Sequence, residues 1–378
     1  MSSGSSQELQ FTVISHVLLP HGPAHRLVKA LREQGLRINY CGLPMLGARV
    51  WRQETELEES TVSKTEDTRR RKVPYLQLFG NFLYLVRFGR RLRRSVNTLH
   101  VVLCCDPLAH LMTSIAFWVA RVRVHKRIVY FVDWSAQRLQ TVASSLVYRA
   151  LALFAVKTSD VVAAISAEAA YGIQTSLPLG RSYRNIIVVP NLHMEFGSGP
   201  SWQNRRQQVV YIGSLNREHG VTLLIEVARV LLASGIECYI EVVGHGTEEV
   251  GLEKASRELP NLNFRGQIND YALLKDLLHT SKVGLGLYDP DFPMFKFNDP
   301  LKIKDYLAAG VNVVSTRPGT IEDGVLYFAE YSVDALAEKL MVALQTAPAF
   351  DPRSHPLLFS SVRCVEDLLS MVSEAPQV

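Results

Sequence analysis

Three short stretches carry groups able to hold a phosphate. The first is Asp299 to Thr316, DPLKIKDYLAAGVNVVST, where Asp299 suits a helix N-cap, Pro300 suits the first helical position and Gly310 suits a left-handed stop. The unpaired amides and positive dipole end of such a helix attract an anion, and Lys302 adds a full charge there. Ile303, Tyr306 and Leu307 share its apolar face, while Lys302 and Asp305 project from another side. The second stretch, Gly213-Ser214-Leu215-Asn216-Arg217-Glu218-His219-Gly220, follows a strand-like run and opens a helical one. Its glycines let backbone amides approach a phosphate, and Arg217 supplies a cation. The third, Gly244-His245-Gly246, ends the run Cys238 to Val243; G-x-G-x-x-G fails at Glu249, so it reads equally as a tight turn.

A sheet must position these turns. Phe11 to Leu19 is a strand candidate, Pro20-His21-Gly22-Pro23 a turn, Ala24 to Gln34 a helix and Leu36 to Cys41 a second strand. Strands follow at His100 to Cys105, Arg127 to Val132, Asp160 to Ile165 and Ile186 to Val189, with helices from Pro107 and over Leu139 to Val156. A second series starts at Val209 and passes through Cys238 to Val243, Leu262 to Phe264, Val283 to Tyr288, Val311 to Ser315 and Val325 to Phe328. Strands alternating with helices predict an α/β chain of two doubly wound, Rossmann-like domains with parallel sheets. The expected boundaries are 1–192 and 207–345, with 193–206 as a linker and 346–378 as a tail whose amphipathic segment, Phe359 to Val372, returns to the first domain. The acidic, aperiodic stretch Gln53 to Asp67 reads as a loop. Ligands of such sheets bind at the carboxyl ends of strands, which for two facing domains predicts a cleft.

Composition narrows the function classes. With 47% hydrophobic and 20% charged residues over 378 positions, extended disorder is excluded, and no apolar run reaches the roughly eighteen residues of a membrane span. The start, MSSGSSQELQ, has no apolar signal region, and five cysteines lack metal spacing, which together predict a cytoplasmic protein with reduced thiols. The net charge of +5 divides unevenly: 1–207 carries +14, 208–345 carries −7 and the tail −2. The segment 69–94 holds nine basic residues and no acidic ones, with Arg87, Arg90, Arg91 and Arg94 on one helical face and Tyr75, Phe79, Phe82 and Val86 on another. That pattern suits a helix lying on an anionic membrane, or a domain helix with its aromatic side in the core. No nucleic-acid module surrounds it, so no nucleic-acid partner is expected.

The wording of these stretches resembles the GT-B glycosyltransferases of the retaining family 4 type, strongly from Val209 to Thr316 and more loosely before. Tyr306-Leu307-Ala308-Ala309-Gly310 matches the family's donor-site helix, with Asp305 at its acidic position, and Phe264-Arg265-Gly266-Gln267-Ile268 matches the strand end that meets the nucleotide base. Asp106-Pro107 and Val132 to Arg138 look like segments of a bacterial subset. The resemblance implies transfer of a sugar from a nucleotide diphosphate-sugar to an acceptor hydroxyl, with retention, no metal and no cofactor. The +14 balance of the first half and the basic segment 69–94 predict docking on the cytoplasmic face of an anionic membrane, to reach a lipid-linked or growing glycan acceptor. The resemblance assigns Gly213, Ser214, Gly244 and Gly266 to the donor, Asp305 to its ribose, Gly22 to the acceptor-side loop and Asp133 to the base near the acceptor hydroxyl. Ser214 and His219 stand where the family has an arginine and a lysine, so Arg217 and Lys302 are assigned to the diphosphate. Phe297 stands where the family has its first acid, and Asp299 is the nearest earlier carboxylate. Asp289-Pro290-Asp291 reads as a turn rather than a metal site. The rivals are a nucleotide-sugar epimerase and a non-catalytic binding subunit of the same fold.

Overall fold

β-Branched and aromatic runs form two sheets, each covered by helices. The computed structural model describes residues 8–15, 22–43, 51–57, 60–66, 74–94, 98–134, 141–179, 186–358 and 361–373. Two units emerge, one made of 1–191, 297–299 and 360–378 and the other of 192–296 and 300–359.

In the first unit the strands are β1 (Glu8–Ser15), β2 (Arg37–Gly42), β3 (Trp51–Leu57), β4 (Ser60–Glu66), β5 (Thr98–Cys104), β6 (Val124–Phe131), β7 (Val161–Ala164) and β8 (Ile187–Val188). Their order is β4-β3-β2-β1-β5-β6-β7-β8. All pairs are parallel except those made by β3 and β4, which are antiparallel. The loop expected over Gln53 to Asp67 is thus corrected: most of it is an edge hairpin. Ladder hydrogen bonds hold such an edge without an apolar face, and Thr55, Thr61, Val62 and Thr65 favour extended backbone. The helices are α1 (Pro23–Glu33), α2 (Pro74–Leu92), α3 (Pro107–Ala120), α4 (Val142–Thr158) and α5 (Ala167–Ser176).

The helix α2 is a domain helix. Leu85, Val86, Phe88 and Leu92 are buried with Met112, Ala116 and Phe117 of α3, and the Phe88 and Phe117 rings stack 6.4 Å apart. Part of the aromatic stripe is therefore core, because α3 packs along it. Val86 is buried and Phe82 packs against the cluster, whereas Phe79 faces solvent. The basic residues 69–72 and the Tyr75 side chain lie outside the described residues.

The second unit holds β9 (Arg206–Ile212), α6 (Val221–Ala233), β10 (Tyr239–Val243), α7 (Glu249–Glu258), β11 (Leu262–Gly266), α8 (Tyr271–Thr280), β12 (Ser281–Gly286), α9 (Leu301–Ala308), β13 (Asn312–Ser315), β14 (Leu326–Phe328) and α10 (Val333–Gln345). All six strands are parallel, in the order β11-β10-β9-β12-β13-β14. Alternation along β9 explains the two cores: Val209 and Tyr211 pack with α6 and α10, while Val210 packs with Ile303, Tyr306 and Leu307 of α9. The last helix, α11 (Ser361–Ser373), belongs to the first unit and contacts α1. No helix among the described residues is long and apolar enough to cross a membrane.

Two local expectations change. The stretch 193–206 is ordered structure of the second unit: Met194 and Phe196 are buried in its core, and Arg205 donates to the carbonyls of Ser281 at 3.0 Å and Ala309 at 2.8 Å. Buried apolar side chains and a guanidinium closing two carbonyls override the aperiodic composition. Helix α9 starts at Leu301, with Pro300 in the cap position and no side-chain cap. Asp299 is not the cap because its Oδ2 accepts from the Asn191 amide at 2.7 Å, and Asn191 Nδ2 donates to the Asp299 carbonyl at 3.0 Å.

Tyr306 fastens α9 to the sheet. Its hydroxyl accepts from the Ile212 amide at 2.8 Å and donates to the Leu285 carbonyl at 3.3 Å, and its ring lies against Gly284 of β12. A Cβ at position 284 would come within 2.3 Å of that ring. Gly284→Ala should therefore overpack the contact and cost about 1–3 kcal/mol, read as a lower urea midpoint. An unchanged midpoint would mean that the helix does not depend on this contact.

Candidate active site

The carboxyl ends of β9, β10 and β11 are stapled by backbone. The Gly213 amide donates to the Val243 carbonyl at 3.0 Å, Leu215 to His245 at 3.0 Å, Glu248 to Leu215 at 2.9 Å and Gly244 to Gly266 at 3.0 Å. A Cβ on Gly244 would lie 1.9 Å from the Gly213 oxygen, so only glycine permits this approach. The stretches chosen from the sequence, 213–220 and 244–246, are thereby brought together, with Gly266 beside them. Ser214 is exposed, and its carbonyl accepts from the Tyr211 hydroxyl at 2.9 Å.

From β9 the chain winds through β10 and β11 toward one edge, and from β12 through β13 and β14 toward the other. The reversal between β9 and β12 is the place where doubly wound sheets bind ligands. Lys302 occupies it. Its Nζ lies 3.3 Å from the Tyr211 hydroxyl, 4.5 Å from the centre of the Tyr211 ring and 5.2 Å from that of Tyr288. A Cβ on Gly213 would be 3.2 Å from the same nitrogen. Among the described residues no carboxylate pairs with this ammonium, and burial pushes its pKa down to about 7. Two aromatic faces offset part of that cost.

Helices α6 and α9 have no side-chain cap, whereas α8 and α10 are capped by Asp270 and Ser332. Arg217 is exposed in the short 3-10 turn Arg217–His219 that leads into α6. Tyr331 stands behind that turn: its hydroxyl would lie 3.0 Å from a Cβ on Gly220, and burial with the neighbouring Asp289 raises its pKa to about 12. The His219 ring packs 5.1 Å from that of Phe295. The arrangement offers backbone donors, a lysine and an exposed arginine to an anion.

The remaining candidates lie elsewhere or are engaged. Asp305 Oδ1 accepts from the Met194 amide at 3.0 Å. Phe297 and Asp299 belong to the first unit, where the Phe297 carbonyl accepts from Ser166 Oγ at 3.0 Å. Asp289-Pro290-Asp291 is a turn, with the Asp291 amide donating to Asp289 Oδ1 at 3.0 Å. In the first unit Asp133 follows β6, and its carbonyl accepts from the Tyr148 hydroxyl at 3.3 Å beside buried Trp134. Gly22 precedes α1 with ordinary extended backbone, while His21 and residues 135–140 lie outside the described residues. The sequence reading missed Tyr211, Tyr288 and Tyr331, since nothing in their spacing separates them from core tyrosines.

Residues 206–346 match the family model described as Glycosyl transferases group 1. HepE from Anabaena, solved with UDP and glucose, superposes with a TM-score of 0.64 at 14% identity, covering 97% of this chain and 99% of that one. The catalytic domain of starch synthase IV from Arabidopsis thaliana, bound to ADP and acarbose, gives 0.61 at 13% identity, covering 98% and 100%. TarM gives 0.59 at 12% identity over 86% of this chain, and the chain spans only 64% of its length. No curated protein matches the chain by sequence. Residues 206–346 of the second unit thus match the group 1 glycosyl transferase model, and the fold of the chain is the two-domain GT-B fold of these solved structures.

Lys302 gives the site a pH signature. With its pKa near 7, most of the free protein carries a neutral amine at about pH 8, and a bound diphosphate favours the charged form. Diphosphate binding at that pH should take up a proton, seen as a calorimetric enthalpy that varies with the ionisation enthalpy of the buffer. Affinity should fall as pH rises through 7 and above. Lys302→Met should abolish the uptake; a buffer-independent enthalpy in the wild type would contradict the assignment.

Proposed function

We propose that the protein transfers a sugar from a nucleotide diphosphate-sugar to an acceptor hydroxyl, with retention of anomeric configuration and no required metal or cofactor. The observation that carries this reading is Lys302, held near two tyrosine rings at the reversal of the second unit's sheet, with no carboxylate paired to it among the described residues. The bond from the anomeric carbon to the diphosphate breaks, and negative charge grows on the leaving oxygen. Lys302, Arg217 and the uncapped starts of α6 and α9 stabilise that charge. The acceptor oxygen bonds to the same carbon and its proton leaves to a base, for which we assign Asp133. Gly213, Ser214, Gly244 and Gly266 shape the donor side. HepE holds UDP and starch synthase IV holds ADP on the same fold, which supports a nucleotide-bearing donor. The acceptor we propose is a lipid-linked or growing glycan at the inner face of an anionic membrane.

The test is product formation from UDP-, GDP-, ADP- and TDP-sugars with glycan and lipid-linked acceptors, the anomeric configuration being read by proton NMR. Lys302→Ala should lower kcat/KM by about 10²–10³. Activity should survive EDTA. Turnover of the donor without acceptor into an epimer, or no binding of any nucleotide sugar, would overturn the proposal.

A further inference from the structure

We propose that the outer face of the helix layer α2–α3–α4 docks on an anionic lipid bilayer, an inference that rests on the membrane-borne acceptor proposed above. The three helices lie side by side, α3 between α2 and α4. Their inner faces are core, yet large apolar side chains remain outside. Phe79 and Leu83 stand on α2, Ile115, Trp118 and Val119 on α3, and Val142, Leu146 and Val147 on α4, with Trp118 79% and Val142 78% exposed. Helix α4 is the extreme case: of its seventeen residues only Ala152, Ala155 and Val156 are buried. An apolar set of this extent on neighbouring helices calls for a cover.

Charge identifies the cover. Between residues 68 and 159 the sequence has sixteen Lys and Arg against two acids, Asp106 and Asp133. Asp106 is occupied in capping α3, its Oδ1 accepting from the Ala109 amide at 2.7 Å. On α2 the outward stripe changes along its length from Phe79 and Leu83 to exposed Arg87, Arg90, Arg91 and Arg94. The cationic end of α2 meets the end of α3, since a Cβ on Gly89 would lie 3.0 Å from that of Ala120. Exposed Arg121 and Arg123 thus join the α2 arginines near the end of α3, and exposed Arg149 and Lys157 stand on α4. Scattered apolar side chains with arginines around them match a bilayer, which offers hydrocarbon and phosphate along one plane, and a tryptophan at the boundary suits its headgroup region. The docking face is the solvent side of three helices; of the aromatic stripe of α2 it takes in exposed Phe79, while Phe82 and Val86 pack into the core beside α3.

Flotation of the full chain with phosphatidylcholine vesicles, with and without phosphatidylglycerol, tests this. The wild type should float only with the anionic vesicles and be released as salt shortens the Debye length. Arg121→Glu with Arg123→Glu, and separately Trp118→Ser with Val142→Ser, should each weaken partitioning by about tenfold or more, while Lys254→Glu on the second unit should not. Calorimetric UDP titration of each variant should match the wild type, which excludes misfolding and separates this inference from the transfer reading. A wild type that floats but binds no nucleotide sugar would retain the docking face and remove the transferase proposal. A wild type that never floats would overturn the docking face. So would variants that float normally, or a Trp118→Ser/Val142→Ser protein that loses nothing while a soluble polyanion competes fully, which is the behaviour of a purely electrostatic protein or nucleic-acid partner.

Discussion

The second unit depends on the phenol of Tyr306, clamped between the Ile212 amide of β9 and the Leu285 carbonyl of β12. Its ring fills the space left by Gly284, so α9 cannot slide or rotate against the sheet without losing both hydrogen bonds and the packing. Lys302 lies four residues earlier on the same helix, and its position is inherited from that clamp. Arg205 closes the other end, with one nitrogen on the Ala309 carbonyl and another on Ser281 and Leu278. A short helix of eight residues, too short to be stable alone, is thereby fixed at both ends.

A fixed helix can hold a lysine where water would otherwise be the better solvent. Burial disfavours the ammonium, and the compensating groups are tyrosine faces and a hydroxyl instead of a carboxylate. An ion pair there would be more stable in the empty protein and would compete with an incoming phosphate. The same logic applies to the starts of α6 and α9, which lack the side-chain caps that α8 and α10 possess. Stability left unrealised at several donors can be recovered by one anion. The glycines of the β9 and β10 turns contribute by close approach: backbone replaces side chain, so the strand ends can be drawn together around the site.

The first unit solves a different problem. Its sheet is also doubly wound, but its helices carry the basic excess, and the layer α2–α3–α4 keeps apolar residues on both sides. Where α3 covers α2, aromatic side chains are ordinary core. Where no element covers them, they lie among arginines. Amphipathic periodicity on one helix could not separate these cases, because a stripe facing a neighbour and a stripe facing a membrane have the same spacing.

The alternation of β-branched runs with helical periods determined two parallel, doubly wound sheets, since burial on both faces requires near-continuous apolar strands. Local motif chemistry was sufficient to place Lys302 at a helix start and Gly213 and Gly244 at two strand-end turns, since their neighbours in sequence carry those signals. Tertiary structure decided what lies far away in sequence. It brought Tyr211 and Tyr288 around the lysine, gave Asp299 to Asn191 and Asp305 to Met194, and turned an apparent linker into core. It also made an edge hairpin of a polar stretch, because backbone pairing with β2 needs no side-chain pattern. Sequence spacing reports which face a residue shares with its near neighbours; which distant chain meets that face is set only when the sheets close.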